Sequence, residues 1–535
     1  MSWLKGRGRL RRSTYLTSFA AAVLAGALAA CGGGGSSAAA SSGGSSATTT
    51  VRFPPWVVVA GASWPSLDPA NPTIIPSDAL LEPAFEPLWY TNSKGTVVPF
   101  LATSYKVSPD GLTYTIQVRK GVKFQDGTPF NAQAVVYNLE RYASKAVNSE
   151  CTGYLAVMKS ATATAPYTVT VQLSSPDASL VPLLASQQCS LMGSPTAIKT
   201  EGAGFGSHPV GTGPYKFVSG TTGVVAKYTA WSGYWGGKPH LDNITVENVS
   251  SATDAYNALT SNTAQAWVYI TDASAVTQVM QAKSNAQLRV LSGPALSINY
   301  MAFNFTKPPF NNPLAREAVN YATDPSAIVK SIYAGQYSTV NGVFPPAIWN
   351  GALSLPLTTA GAPTSNLAKA KALVQQLGGL SFTANIDNSP GWTAEAEALQ
   401  SQLAQAGIKM TINPLETPQW IQSLHQLAYQ GLLIVSPNLI DPDMIAYRWF
   451  YSKSPLTQNG MNNPAADKLI LQARATTNQA TRTALYKQLN TMLATQAFPW
   501  DDLFGQTNFM VTSKNLQGLF LNPADYIPWA SVGFS

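Results

Sequence analysis

The chain has 535 residues, 45% of them apolar and only 11% charged. An ordinary apolar fraction with less than half the roughly 25% charge usual in soluble domains excludes an intrinsically disordered chain, and the length suggests about three lobes. Lys5, Arg7, Arg9, Arg11 and Arg12 carry five of the seven net positive charges, which leaves +2 for everything after them and gives no case for a nucleic-acid partner.

Taken in chain order, residues 1–30 read basic, then apolar from Tyr15 to Ala30, then small, as a secretory signal does. No later apolar run approaches the ~18–20 residues that span a bilayer, which excludes a polytopic membrane protein. Leu28-Ala29-Ala30-Cys31 resembles a bacterial lipobox, which makes Cys31 the expected lipidated residue, and Arg11-Arg12 loosely resembles a twin-arginine export signal. Gly32 to Thr50 contains only Gly, Ser, Ala and Thr, so residues 31–50 read as a flexible tether with a reach of roughly 25 Å. The expectation is an exported protein, anchored through lipid to the outer face of the cytoplasmic membrane, in a periplasm or at a cell surface.

With Cys31 assigned, Cys151 and Cys189 remain, an even number in an oxidising compartment. A bridge between them is expected, two separate buried thiols being the alternative. The histidines, His208, His240 and His425, show no ligand spacing, so no metal site and no cofactor is expected.

Pro109-Asp110-Gly111 reads as a turn leading into an alternating strand at 114–118, and Asn131 opens a helix carrying Val135, Val136 and Leu139. Tyr167 to Leu173 alternates again. Leu367 to Leu377 forms a helix capped by Ser365 or Asn366 and stopped by Gly378. Trp392 to Ala406 places Ala396, Leu399, Leu403 and Ala406 on one stripe and feeds a strand at 407–412, and Leu485 to Leu493 marks a late helix. Helices feeding strands argue for an α/β fold rather than a sandwich or a bundle.

Catalytic patterns are missing. There is no Gly-x-Ser-x-Gly elbow; Ser232 and Pro239 spoil the phosphate loop around Gly237-Lys238, and Gly211-Thr212-Gly213 lacks the third glycine of a dinucleotide fingerprint. Asp501-Asp502 reads as a pair of solvated turn residues. An enzyme is not expected.

Several segments resemble the extracellular solute-binding proteins of ABC importers, in the group that holds oligopeptide-, dipeptide- and nickel-binding proteins. They are Ser66-Leu67-Asp68-Pro69, Phe85-Glu86-Pro87-Leu88, the run PFLATSYKVSPDGLTYTIQVRKGVKFQDGTPFNAQAVVYNLERY from Pro99 to Tyr142, and Pro209-Val210-Gly211-Thr212-Gly213-Pro214-Tyr215. Phe303-Asn304-Phe305, Arg316 to Asp324, Gly407-Ile408-Lys409, Asp441-Pro442 and Asn463 to Asp467 follow in the same order.

The resemblance implies a two-lobed clamshell of the type II periplasmic-binding-protein kind, with an extra subdomain on one lobe. Lobe I would take 51–85, 199–295 and 503–535, the subdomain 86–198, and lobe II 296–502. It implies a monomer that binds a short peptide or other small solute and delivers it to the transmembrane subunits of an ABC permease. The long signature run would be scaffold, and Gly211 and Gly213 would supply backbone conformations closed to other residues. By position, Thr73, Tyr154, Tyr300, Trp392, Val435, Ser436 and Asn438 are the expected ligand-binding residues. In peptide-binding members an Asp three residues before the Asp-Pro pair receives the α-ammonium group, but here that position is Asn438, with Asp441 or Asp443 as substitutes. A neutral amide leaves room for an oligosaccharide or another neutral solute, and nickel on an organic chelator is a further alternative. An exported hydrolase or a structural surface protein would be readings of a different class.

Overall fold

Alternating apolar and polar residues in the first half of the chain build a sheet with one buried face. The computed structural model describes residues 48–535 except 54–65, 71–77, 148, 150, 250, 271–274, 357–363, 437–439 and 523–525. The segment expected to be a signal, Cys31, Thr73 and Asn438 lie outside the described residues. After β1 (Thr48–Phe53) and a short hairpin of β2 (Trp89–Thr91) and β3 (Val97–Pro99) come β4 (Ala102–Val107), β5 (Thr113–Val118), β6 (Met158–Ala165) and β7 (Thr168–Leu173). The last four form an antiparallel sheet in the order β4-β5-β7-β6, and β5 and β7 bury every second residue. The helix Ala132–Ala143 packs on it through Val135, Val136 and Leu139, and Asn131 Oδ1 accepts the Ala134 N–H at 3.0 Å as its cap. Gly111, at φ 71°, closes the turn before β5.

The remaining strands are β8 (Tyr215–Thr221), β9 (Val225–Ala230), β10 (Asn243–Asn248), β11 (Ala266–Ile270), β12 (Leu288–Phe303), β13 (Leu380–Asp387), β14 (Ile408–Leu415), β15 (Gly431–Val435) and β16 (Trp500–Ser513). With β1 they make one ten-stranded sheet in the order β14-β13-β15-β12-β16-β11-β1-β10-β9-β8. β13 runs parallel to β14 and β15, and β1 runs parallel to β10 and β11. At about 3.3 Å per residue β12 spans about 50 Å, long enough to belong to both halves of the sheet.

Cys151 and Cys189 are joined, with sulfurs 1.99 Å and Cα atoms 5.5 Å apart. Both are fully buried. Closing a loop over a separation of 38 residues removes about 3–4 kcal/mol of chain entropy from the unfolded state in the loop-closure account.

Three apolar clusters form the core. One joins Ile116, Val169 and Leu180, beside the four-stranded sheet, to Tyr300, Met444, Trp449 and Trp500. A second surrounds Phe382, Leu399 and Leu433, and a third gathers Phe85, Tyr228, Ile244 and Trp529.

Glu86, just before β2, is buried and accepts three hydrogen bonds: from Thr212 Oγ1 (2.9 Å), Tyr234 OH (2.7 Å) and Trp235 Nε1 (2.7 Å). Thr212 lies between Gly211 and Gly213, and a Cβ at those glycines would stand 2.1 Å from Ala84 O and 2.5 Å from Pro83 O. Neither glycine has a positive φ, so lack of room rather than a forbidden conformation demands them, which corrects the sequence expectation.

Burial pushes the Glu86 carboxyl up to about 7, against the pull of its three donors. A carboxyl whose folded pKa is raised stabilises fully below its unfolded value near 4.5 and loses that contribution as pH rises through 7. Stability in urea is therefore expected to fall by on the order of 3 kcal/mol between pH 5 and 8 on this group's account. Glu86→Gln should flatten that part of the profile, read from denaturation midpoints across the range.

Candidate ligand-binding site

β12 and β16 cross from one half of the sheet to the other, and their register breaks midway. Leu288 to Pro294 pair with Ser513 to Thr507, and Ile298 to Ala302 pair with Gly505 to Trp500, with shifts between Pro294 and Ile298 and again at Asn299. A bulge of this kind bends a strand locally. Side chains bridge the break: Ser297 Oγ donates to Gln506 Oε1 (2.9 Å), and Gln506 Nε2 donates to Asn299 Oδ1 (2.8 Å). Asn299 Nδ2 then donates to both oxygens of Glu395 (3.2 and 3.1 Å), which also receives Tyr333 OH. Gly505 sits where a Cβ would come within 2.7 Å of Ser338 Oγ.

Tyr300 lies one residue beyond that chain, fully buried, its ring centroid 4.0 Å from that of Trp500 and 5.5 Å from that of Trp449. Its hydroxyl has no hydrogen-bond partner among the described residues, and burial holds the phenol well above its usual range. Tyr154 and Arg448 are electrostatic neighbours of that phenol. Tyr154 follows the disulfide in the Cys151–Tyr154 turn and donates to Met444 O at 3.2 Å. Val435 pairs with Asn299 across β15 and β12. Ser436 extends the ladder: its N–H donates to Ile298 O (2.9 Å), and its Oγ accepts the Ile298 N–H (3.0 Å). Trp392 is half-buried in the first turn of the helix Pro390–Gln405, three residues before Glu395 and hence on nearly the same face. Tyr154, Tyr300, Val435 and Ser436 thus converge around one stretch of β12, with Trp392 one helical turn from its Glu395 partner.

The two acidic substitutes for Asn438 are already occupied. Asp441 caps the helix Pro442–Trp449 by accepting the Asp443 N–H, and it pairs with both terminal nitrogens of Arg482 at 2.8 and 2.7 Å. Asp443 accepts from Arg474 Nη1 (2.5 Å) and Tyr486 OH (2.9 Å), and Ser179 Oγ lies 3.0 Å from its Oδ2. Nor are Asp501 and Asp502 solvated turn residues; they lie in β16. Asp501 is 2% exposed and receives Thr323 Oγ1 at 2.6 Å, while Asp502 receives Trp500 Nε1 at 2.7 Å and the Gly342 N–H at 2.9 Å. Burial raises both carboxyls, that of Asp502 to about 7. With structural donors on each, neither is arranged as an acid–base pair.

Sequence reasoning missed Glu395, Asn299 and Gln506. The signal for Glu395 was present, because it falls on the stripe of Leu399 and Leu403, where a solvated glutamate would be out of place. Among the described residues no cluster of three metal-ligating side chains occurs, and no helix is long and apolar enough to cross a membrane. A surface depression of about 830 Å³ is lined by Tyr256, Val276 and Met280 and includes none of the residues above.

Residues 96–457 match the family described as bacterial extracellular solute-binding proteins, family 5 Middle. The glutathione-binding protein GsiB of Shigella flexneri is 30% identical over 487 residues, 87% of this chain and 92% of the relative. Among solved structures, the ABC transporter-associated periplasmic binding protein DppA of Helicobacter pylori in complex with the peptide STSA superposes with a TM-score of 0.79 at 24% identity, covering 91% of this chain and 98% of the other. NikA of Staphylococcus aureus in complex with Ni(L-His)2 gives 0.75 at 20% identity, covering 91% and 100%. The fold is accordingly the two-lobed α/β clamshell of type II periplasmic binding proteins. Family match, near-full-length relative and shared fold agree: the chain belongs to the bacterial extracellular solute-binding proteins of family 5.

Proposed function

We propose that the protein captures a short peptide or peptide-like solute between its lobes and hands it, chemically unchanged, to the transmembrane subunits of an ABC permease. The observation that carries this reading is the 30% identity to a glutathione-binding protein across 92% of that relative's length, glutathione being itself a tripeptide. Thr73, Tyr154, Tyr300, Trp392, Val435, Ser436 and Asn438 line the solute in this reading. The unpartnered Tyr300 hydroxyl supports that role, because a buried polar group without a partner costs about 1–3 kcal/mol and a solute acceptor would relieve it. Lobe I comprises 51–85, 199–295 and 503–535, the subdomain 86–198 and lobe II 296–502, with the hinge at the register break of β12. Closure is a population shift no larger than the solute's preference for the closed form. The protein works as a monomer without a cofactor, held at the outer face of the cytoplasmic membrane by lipid on Cys31 and free to move on a tether that is shorter than the expected 31–50, because β1 already begins at Thr48.

A second reading, a neutral solute such as an oligosaccharide, is favoured by one specific observation. Position 438 is an amide, and Asp441 and Asp443 are engaged by Arg482 and Arg474, so none of the three offers a free carboxylate to an ammonium group.

Thermal unfolding with reduced glutathione, dialanine and maltotriose separates the two. A peptide receptor gains about 2.7 kcal/mol at a hundredfold excess of solute over Kd. Stabilisation by glutathione or dialanine is expected; a response to maltotriose alone selects the second reading, and no response to any of the three overturns both. Asn438→Asp should raise affinity for dialanine by about tenfold, the effect of one charge-assisted bond, and unchanged titration calorimetry would remove Asn438 from the ammonium position. Tyr300→Phe should keep or raise the melting temperature while weakening solute binding; a large loss of stability with unaltered affinity would make the hydroxyl purely structural.

A further inference from the structure

The four-stranded sheet and the strands β13 to β15 belong to separate hydrogen-bonded sheets, so no β-ladder among the described residues joins the two bodies. They nevertheless meet along a dry seam. Tyr154 OH donates to Met444 O across it, and the Ala178 N–H donates to Arg474 O at 3.0 Å. Gly153 lies so close to Leu456 that a Cβ would stand 2.2 Å from its Cδ2.

At the centre of the seam is Arg474, at the end of the helix Pro464–Arg474, with a side chain only 4% exposed. Its Nη2 donates to Asp177 Oδ2 at 2.5 Å, and its Nη1 donates to Asp443 Oδ2 at 2.5 Å. Asp177 comes from the loop after β7, 297 residues away in sequence; Asp443 comes from the same body as Arg474. Ser179 Oγ lies 2.5 Å from Asp177 Oδ1 and 3.0 Å from Asp443 Oδ2, and the guanidinium rests 3.9 Å above the ring of Tyr447.

We infer that Asp177 and Arg474 are a latch that lets the clamshell close before any solute is bound, without penalising its opening. The reason is an asymmetry in what opening does to each charge. Arg474 keeps Asp443 in either state, and Asp443 keeps Tyr486, so that body remains satisfied when the seam parts. Asp177 leaves its partner but enters water, where a carboxylate is well solvated. An intact pair therefore makes the closed form accessible at small cost. Removing the Asp177 charge leaves Arg474 with one carboxylate instead of two in a place water does not reach, a penalty confined to the closed form. The two chain crossings at the register break of β12 and β16 supply the hinge about which the seam can part. The inference concerns the protein without solute, so it does not depend on which solute the cleft takes.

The test uses the full chain with no solute added. Asp177→Asn preserves the Oδ1 acceptor facing Ser179 and replaces the charged Oδ2 acceptor of Arg474 with an uncharged amide nitrogen that cannot accept. Small-angle scattering should show a larger radius of gyration than for the wild type. Hydrogen exchange at the Ala178 amide should quicken at least tenfold, with β5 and β7 exchanging at the wild-type rate. Ser179→Ala, which removes the hydroxyl that lies between the two carboxylates, should move both readouts the same way by a smaller factor. Should Asp177→Asn quicken exchange throughout β5 and β7, the subdomain itself has loosened and Ser179→Ala decides. A radius and an Ala178 exchange rate that match the wild type in both variants would mark the seam as a permanent staple and overturn the latch. Because no solute enters the measurement, that failure would leave the peptide reading standing.

Discussion

The pairing of β12 with β16 is the constraint on which the other features depend. Both strands run through the whole width of the junction, and their ladder is regular on either side of a break at Pro294 to Ile298. Pro294 cannot donate to a neighbour, and Gly505 opposite Ile298 leaves room for Ser338. The bend therefore has a fixed place. The polar side chains Ser297, Gln506, Asn299 and Glu395 run through that place and tie it to Tyr333. Low-dielectric surroundings strengthen such a chain when every member is satisfied. Tyr300 follows directly, so the aromatic wall is oriented by the same stretch of backbone that sets the bend.

Buried charge in this protein is placed rather than spread. Glu86, Asp177, Asp441, Asp443, Arg474 and Arg482 are each under 5% exposed, in a chain with few charges to begin with. A buried ion pair is weak evidence for stability, since desolvation offsets most of the attraction. What it does supply is direction: a guanidinium in a dry seam tolerates few arrangements of its acceptors. Asp441 with Arg482 stays within one body and fixes the start of the helix Pro442–Trp449, whereas Asp177 with Arg474 ties that body to another.

Much of the local structure was legible in the sequence because it depends on neighbours. Asn131 and Asn366 cap the helices they were expected to open, Gly378 ends one at φ 70°, and the alternating runs at 114–118 and 167–173 are strands β5 and β7. The family resemblance, carried by ordered motifs, made the clamshell legible as well. The cage of Glu86 was not, because Thr212, Tyr234 and Trp235 lie 126 to 149 residues from it. Nor could the sequence tell that Asp441 and Asp443 are occupied, since Arg474 and Arg482 give no local sign of their partners. Asp501 and Asp502 misled for a related reason. Adjacent acids read as turn residues unless the strand around them is recognised, and their Thr323, Trp500 and Gly342 donors come largely from elsewhere in the chain.

The order in which the large sheet is assembled sets a timetable for biogenesis. β4 to β7, the helix Ala132–Ala143 and the disulfide all come from one unbroken run, so that module can mature as soon as it emerges. β1 must wait for β10 and β11, nearly two hundred residues later, and β11 must wait for β16, close to the end of the chain. Long-range pairing of this sort is slow. The two halves of the widest sheet consequently cannot be joined until β16, near the end of synthesis, has been made.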